Sequence, residues 1–191
     1  LKMLDMSGGE DFQKNFEELN IIPMSISYEY EPCDILKARE NVISSKQKYV
    51  KAEGEDLNSI IVGIQQPKGN VHLNIGQPLT SEEIAQAALC DKNDRYQWIR
   101  HAVDKRVIEG YRLWKNNYVA YDLLNQSDKY AHMYEPVDVE SFTAYMQKQL
   151  DTVEPELDRD ELRKAFLDIY ANPVVTRELL EKEKTTGENC L

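Results

Sequence analysis

Apolar and polar positions change rhythm along the chain, from short segments of differing period to a long stretch with steps of three or four. After Gly8-Gly9, Phe12, Phe16 and Leu19 recur at helical spacing, which predicts a short helix closed by Asn20. Met24, Ile26, Tyr28 and Tyr30 then alternate with Ser25, Ser27 and Glu29. A period of two predicts a strand with one buried, apolar face, entered through Pro23 and ended by Pro32. Asp34 to about Ser44 reads as a helix, with Asp34 as its cap and Ile35, Leu36, Ala38 and Val42 as its apolar positions. Residues 45–58 are polar and fit loop and helix alike.

Two more strands are predicted, Ile60–Ile64 and Val71–Ile75, joined as a hairpin through Pro67 and Gly69. Thr80 and Glu83 then form a capping box, in which each side chain satisfies a free amide of a helix's first turn. Beyond it, Tyr96, Ile99, Val103, Val107, Gly110, Trp114, Tyr118, Tyr121 and Leu124 make one apolar stripe on a helix of about 30 residues. Its partners are Phe142, Tyr145, Met146 and Leu150 after an Asp138 cap, and Leu162, Phe166 and Ile169 after an Asp158 cap. A last helix is expected to start at Asn172-Pro173, with proline at its first position. The aromatic stripe could line an acyl groove, but such residues more often pack a seam between helices.

The fold class is therefore α/β, a partial mixed sheet with flanking helices, followed by a mostly α-helical region. Residues 1–85 form the α/β part, 86–184 a helical extension, and 185–191 a disordered tail.

Charge narrows the partners. A formal net charge of -11 and a pI near 4.8 argue against nucleic acid, whose phosphates require Lys and Arg, and against a polybasic lipid contact. A local basic face could still exist, for example around Lys105 and Arg106, but nothing in the sequence marks one out. Cys33, Cys90 and Cys190 are widely spaced and lack C-x-x-C pairing, so neither a disulfide framework nor a zinc knuckle is expected. The chain has no apolar run of membrane-spanning length. It opens on Leu1 and on apolar Met3, Leu4 and Met6, which reads as a longer protein continuing upstream, although cleavage or tag removal leaves the same trace.

Candidate chemistry is sparse. His72, His101 and His132 each read as surface or half-buried side chains, and no pair has metal-ligand spacing on a helix. No G-x-S-x-G elbow occurs, and Gly8-Gly9 is followed by Glu10-Asp11, which would repel a phosphate. Carboxylate pairs such as Asp158 and Glu161 read as solvated faces. No cofactor, metal or catalytic residue is expected within the chain.

Two segments resemble the glycerolipid acyltransferases of the 1-acylglycerol-3-phosphate acyltransferase type. Phe12 to Tyr30, with its Ile21-Ile22-Pro23-Met24-Ser25-Ile26 core, resembles that family's late helix-then-strand block beside the substrate site. Gly69 to Leu79, with Ile75-Gly76-Gln77-Pro78, resembles the strand that closes the domain. Tyr28 to Asp34 is similar to bacterial members with a helical C-terminal extension. The resemblance covers about residues 8–85. It implies a parent protein of phospholipid biosynthesis that moves an acyl chain from an acyl thioester donor to a lysophospholipid-type acceptor, in the cytoplasm at the inner membrane. It also implies Ile22, Pro23 and Met24 as part of the substrate wall, where an ordinary buried strand entry fits them equally.

The family's catalytic motif is a histidine followed four residues later by an aspartate. Here Gly76, Lys105 and Pro136 occupy that position after the three histidines. The catalytic pair and the membrane attachment are thus expected upstream of Leu1, and the chain alone is expected to be inactive. The alternative is a non-enzymatic helical protein-interaction domain. An exposed edge strand is open to pairing with a second copy, which would give a homodimer.

Overall fold

The computed structural model describes residues 1–6 and 8–186. Among these residues the chain is mostly helical, with one two-stranded antiparallel sheet. The order is α1 (Lys2–Met6), α2 (Phe12–Leu19), β1 (Met24–Tyr28), α3 (Asp34–Lys46), α4 (Glu55–Gln65), β2 (Val71–Ile75), α5 (Ser81–Ala88), α6 (Asp94–Gly110), α7 (Lys115–Asn125), α8 (Pro136–Leu150) and α9 (Arg159–Thr186). Two compact units share these elements. The first comprises Leu1–Ser27, His72–Arg112 and the chain from Arg177, and the second comprises Tyr28–Val71 and Leu113–Thr176. Each unit therefore draws on both the 1–85 and the 86–184 segments.

In the first unit, Phe12 and Phe16 of α2 pack with Leu79, Ile84 and Ala87 around α5 and with Ile99 and Ala102 of α6. Asp11 caps α2 by accepting from Lys14 N, and Asn20 closes it in the left-handed region (φ 45°). The Thr80–Glu83 capping box starts α5 as the spacing predicts. In the second unit, Phe142, Met146 and Leu150 of α8 pack against Leu162, Phe166 and Tyr170 of α9, with Val119 and Ala120 of α7 and Ala38 and Val42 of α3.

Several sequence expectations are corrected. Ile60–Ile64 is helical and lies within α4, so the Ile60–Ile64/Val71–Ile75 hairpin does not form. Leu57, Ile60, Ile61 and Ile64 carry steps of three and four, and the β-branched run masks that period. β2 pairs instead with β1.

The long aromatic stripe is broken. α6 ends at Gly110, Tyr111 and Trp114 are extended, and α7 begins at Lys115. Arg177 donates to the carbonyls of Ile108 (2.5 Å) and Tyr111 (2.6 Å), which satisfies acceptors that the end of α6 leaves open. Asn117 Oδ1 accepts from Trp114 N at 2.7 Å and so starts α7. The two halves of the stripe serve different cores.

Pro173 starts no helix; it lies inside α9. A proline there removes an internal hydrogen bond. The buried Asn117 carboxamide donates to Tyr170 O at 2.8 Å in the turn preceding the proline, supporting the backbone where the ladder is weakened. Of the expected disordered tail, Thr185 and Thr186 belong to α9, and residues 187–191 lie outside the described residues.

The last correction concerns β1. Gly76 N donates to Pro23 O and Glu29 N to Asn70 O, both at 2.9 Å, which sets Ser25 opposite Asn74, Ile26 opposite Leu73 and Ser27 opposite His72. The serines are the buried positions, at 5% and 1% exposure, while Met24 and Ile26 are 55% and 47% exposed. On β2, Leu73 and Ile75 are likewise 55% and 64% exposed. The period of two holds, but the apolar face points to solvent.

Candidate functional site

The polar face of the sheet leads to a crevice in the first unit. Asn74 leaves β2 on this face, and Gly76 and Gln77 continue the chain beside it. Glu83 comes from the first turn of α5, and Lys105, Arg106, Glu109 and Gly110 from the last two turns of α6. Together these residues line a cavity of about 530 Å³. Gly110 is the glycine that its neighbours require: a Cβ there would collide with the Asn74 carboxamide and come within 2.8 Å of Ser25 Oγ.

Arg106 is fixed on every side. Its Nη2 donates to both Glu83 oxygens (2.9 and 2.8 Å), its Nε to Gln77 O (3.1 Å) and its Nη1 to Ala102 O (3.0 Å). Burial pushes the Glu83 carboxyl up, but the Thr80 amide and Arg106 outweigh it and hold the group below its ordinary value. Glu109 pairs with Lys184 at 2.9 Å.

The residues Ile22, Pro23 and Met24 line neither this crevice nor the groove described below. Ile22 and Met24 are exposed, and Pro23 is buried with its carbonyl in the sheet ladder. The histidines do not converge on a site. His72 is half-buried opposite Ser27, His101 lies 4.0 Å from Glu183, and the ring of exposed His132 is 6.4 Å from that of Tyr130. Among the described residues no group of His, Cys, Asp or Glu side chains could hold a metal ion. None of their helices is long and apolar enough to cross a membrane.

In the second unit, Asp34 is fully buried; it is the first residue of α3, with Cys33 at the N-cap, rather than the cap that the sequence suggests. It accepts from Tyr170 Oη at 2.7 Å, Tyr145 Oη at 2.8 Å and Ile35 N at 2.6 Å. Burial raises its carboxyl above the ordinary range against the pull of these three donors. Tyr170 Oη in turn accepts from Glu31 N at 3.0 Å. Asp122, also buried, accepts from Tyr134 Oη, Tyr130 N and Ser127 Oγ. Burial and the Asp122 carboxylate push Tyr134 up to about 12. Both clusters join chain segments, and Tyr134 of the second also lines a groove. A shallow, largely apolar groove of about 850 Å³ runs along α8, lined by residues that include Tyr134, Pro136, Val139 and Thr143.

The sequence offers Lys105 and Arg106 only as one example of where a basic face could lie, and gives no sign of the carboxylates and carboxamides gathered around them. Asp34 and Tyr170 are 136 residues apart, and no local spacing links them. Comparison with protein-family models, with curated proteins and with solved structures gave no match to this chain.

Proposed function

We propose that this chain is the C-terminal portion of a glycerolipid acyltransferase, and that its β1–β2 pair closes a larger mixed sheet carrying the catalytic histidine and aspartate. The observation that carries this reading is the uncovered apolar face of the two strands. Met24, Ile26, Leu73 and Ile75 lie side by side in solvent, while Ser25 and Ser27 are buried behind them. An isolated two-stranded sheet gains little stability, and apolar residues alternating this regularly belong to a face that other polypeptide covers. The segments that resemble the acyltransferase blocks are those that form this sheet.

In this reading the missing histidine acts as general base on the hydroxyl of a lysophospholipid-type acceptor, and the acyl thioester is the donor. Ile22 and Met24, exposed on the strand entry, form substrate wall once the cover is present. Attachment to the inner membrane comes from the same missing part. The chain described here lacks the proton acceptor and transfers nothing alone.

The test is a polypeptide extended upstream of Leu1 through a His-x-x-x-x-Asp motif, assayed with an acyl thioester and a lysophospholipid. Acyl transfer is expected from the longer protein, and none after alanine replaces that histidine or from residues 1–191 alone. Failure of the longer protein to transfer, or transfer undiminished by the histidine replacement, overturns the assignment.

A further inference from the structure

We propose that the crevice among β2, α5 and α6 binds the phosphoryl group of a small molecule. The proposal is independent of the acyltransferase reading and rests on the charge and hydrogen-bond account of the lining residues.

Two cations and two carboxylates face the cavity, but they are not equivalent. Glu83 has both oxygens committed to Arg106 and one of them also to Thr80 N. Glu109 is neutralised by Lys184. Arg106 spends all three of its nitrogens on Glu83, Gln77 O and Ala102 O. Lys105 remains. It is half-buried in the lining, and among the described residues no carboxylate lies within ion-pair distance of it. Among the described residues the crevice therefore carries one uncompensated positive charge, in a chain whose net charge is -11.

Donors accompany that charge. The carboxamides of Asn74 and Gln77 line the same wall and form no hydrogen bond among the described residues. Ser25 Oγ lies just behind Asn74 and Gly110; it is buried and likewise has no partner. Of these groups only the Ser25 hydroxyl is buried without a partner, which folding seldom leaves so; the half-buried Asn74 carboxamide, the exposed Gln77 carboxamide and the Lys105 ammonium are open to an incoming anion. A carboxylate offers two oxygens and a phosphoryl group three, so the donor set suits the latter. The volume exceeds that of phosphate itself and leaves room for a small organic substituent.

The test is titration of residues 1–191 with inorganic phosphate and with glycerol 3-phosphate, followed by calorimetry and by 31P line broadening in a chloride buffer of low ionic strength. Saturable binding with a dissociation constant of about 1 mM is expected, weakening as salt is raised. Lys105→Gln should weaken it about tenfold, since a charge-assisted hydrogen bond is worth roughly that factor. Asn74→Ala should weaken it by a smaller factor, and the exposed Lys92→Gln should leave it unchanged. Tighter binding of glycerol 3-phosphate than of phosphate identifies an organic phosphate as the occupant, and equal binding identifies the free ion. Three results overturn the site: no saturable binding, Lys105→Gln binding as tightly as the wild type, or acetate competing as well as phosphate. Lys105 holds no carboxylate, so Lys105→Gln should unfold at the wild-type urea midpoint, which keeps loss of binding distinct from loss of fold.

Discussion

Tyr170 donates its phenolic hydrogen to Asp34 at 2.7 Å inside the second unit, and the same oxygen accepts the Glu31 amide at 3.0 Å. One hydroxyl thus ties α9 to both the side chain and the preceding backbone of α3. With Tyr145 also donating to Asp34 at 2.8 Å, a buried carboxylate becomes the point where three helices meet. Its desolvation is costly, and the donors around it offset that cost.

Tyr170→Phe keeps the ring against Phe142 and Phe166 and removes only these two hydrogen bonds. The Glu31 amide loses its acceptor and Asp34 one donor. A loss of about 2–3 kcal/mol in urea-unfolding stability is expected. A change below about 0.5 kcal/mol would show that water replaces the hydroxyl at no cost.

The same carboxylate gives stability a defined pH dependence. Burial raises Asp34 above its ordinary value of 3.8, so between that value and the native one the folded chain holds a proton that the unfolded chain has released. The unfolded state then binds fewer protons, and the slope of unfolding free energy with pH is negative. Relative to an Asp34→Asn variant, the wild type should be most stable in acid. It should lose ground as pH rises from 3.8 through the native value and level off beyond it. Parallel urea titrations of the two proteins check this, and a difference that grows with pH contradicts it.

The uncovered sheet face predicts opposite responses in two contexts. In residues 1–191, Ile26→Thr combined with Leu73→Thr exchanges solvent-exposed apolar groups for β-branched polar ones. Stability should move by no more than about 0.5 kcal/mol, and binding of an apolar dye should fall. In a longer protein that covers the face, the same pair should cost about 2–4 kcal/mol. Strong destabilisation of the short chain would mean that the face is already buried in solution, for instance against a second copy.

Local chemistry placed some of the helix starts correctly. The Thr80–Glu83 box starts α5, and Asp158 Oδ1 accepts the amides of Asp160 and Glu161 at the start of α9; α3 and α8 instead have Cys33 and Glu135 at their N-caps, with Asp34 and Asp138 inside the first turn. The sheet departs from the reading for a different reason. Alternation fixes which residues share a face, and it does not say which face meets the core. Met24 and Ile26 were expected inside because apolar faces usually are. The site was less legible still, since Asn74, Glu83 and Arg106 lie on three elements and no spacing connects them.

What the sequence determined by itself was local: the caps at Thr80 and Asp158, the two-residue period of β1 and β2, and the apolar faces of α2, α8 and α9, all set by neighbours within one or two turns. Tertiary structure decided the rest. It broke the aromatic stripe at Gly110, where Asn74 and Ser25 leave no room for a side chain, and carried α9 through Pro173, where Asn117 supports the turn. It also turned the apolar side of the sheet outward and gathered Lys105, Asn74 and Gln77 around one crevice. Those outcomes depend on which distant groups are available to pack or to bond, and a pattern read along a single segment does not contain them.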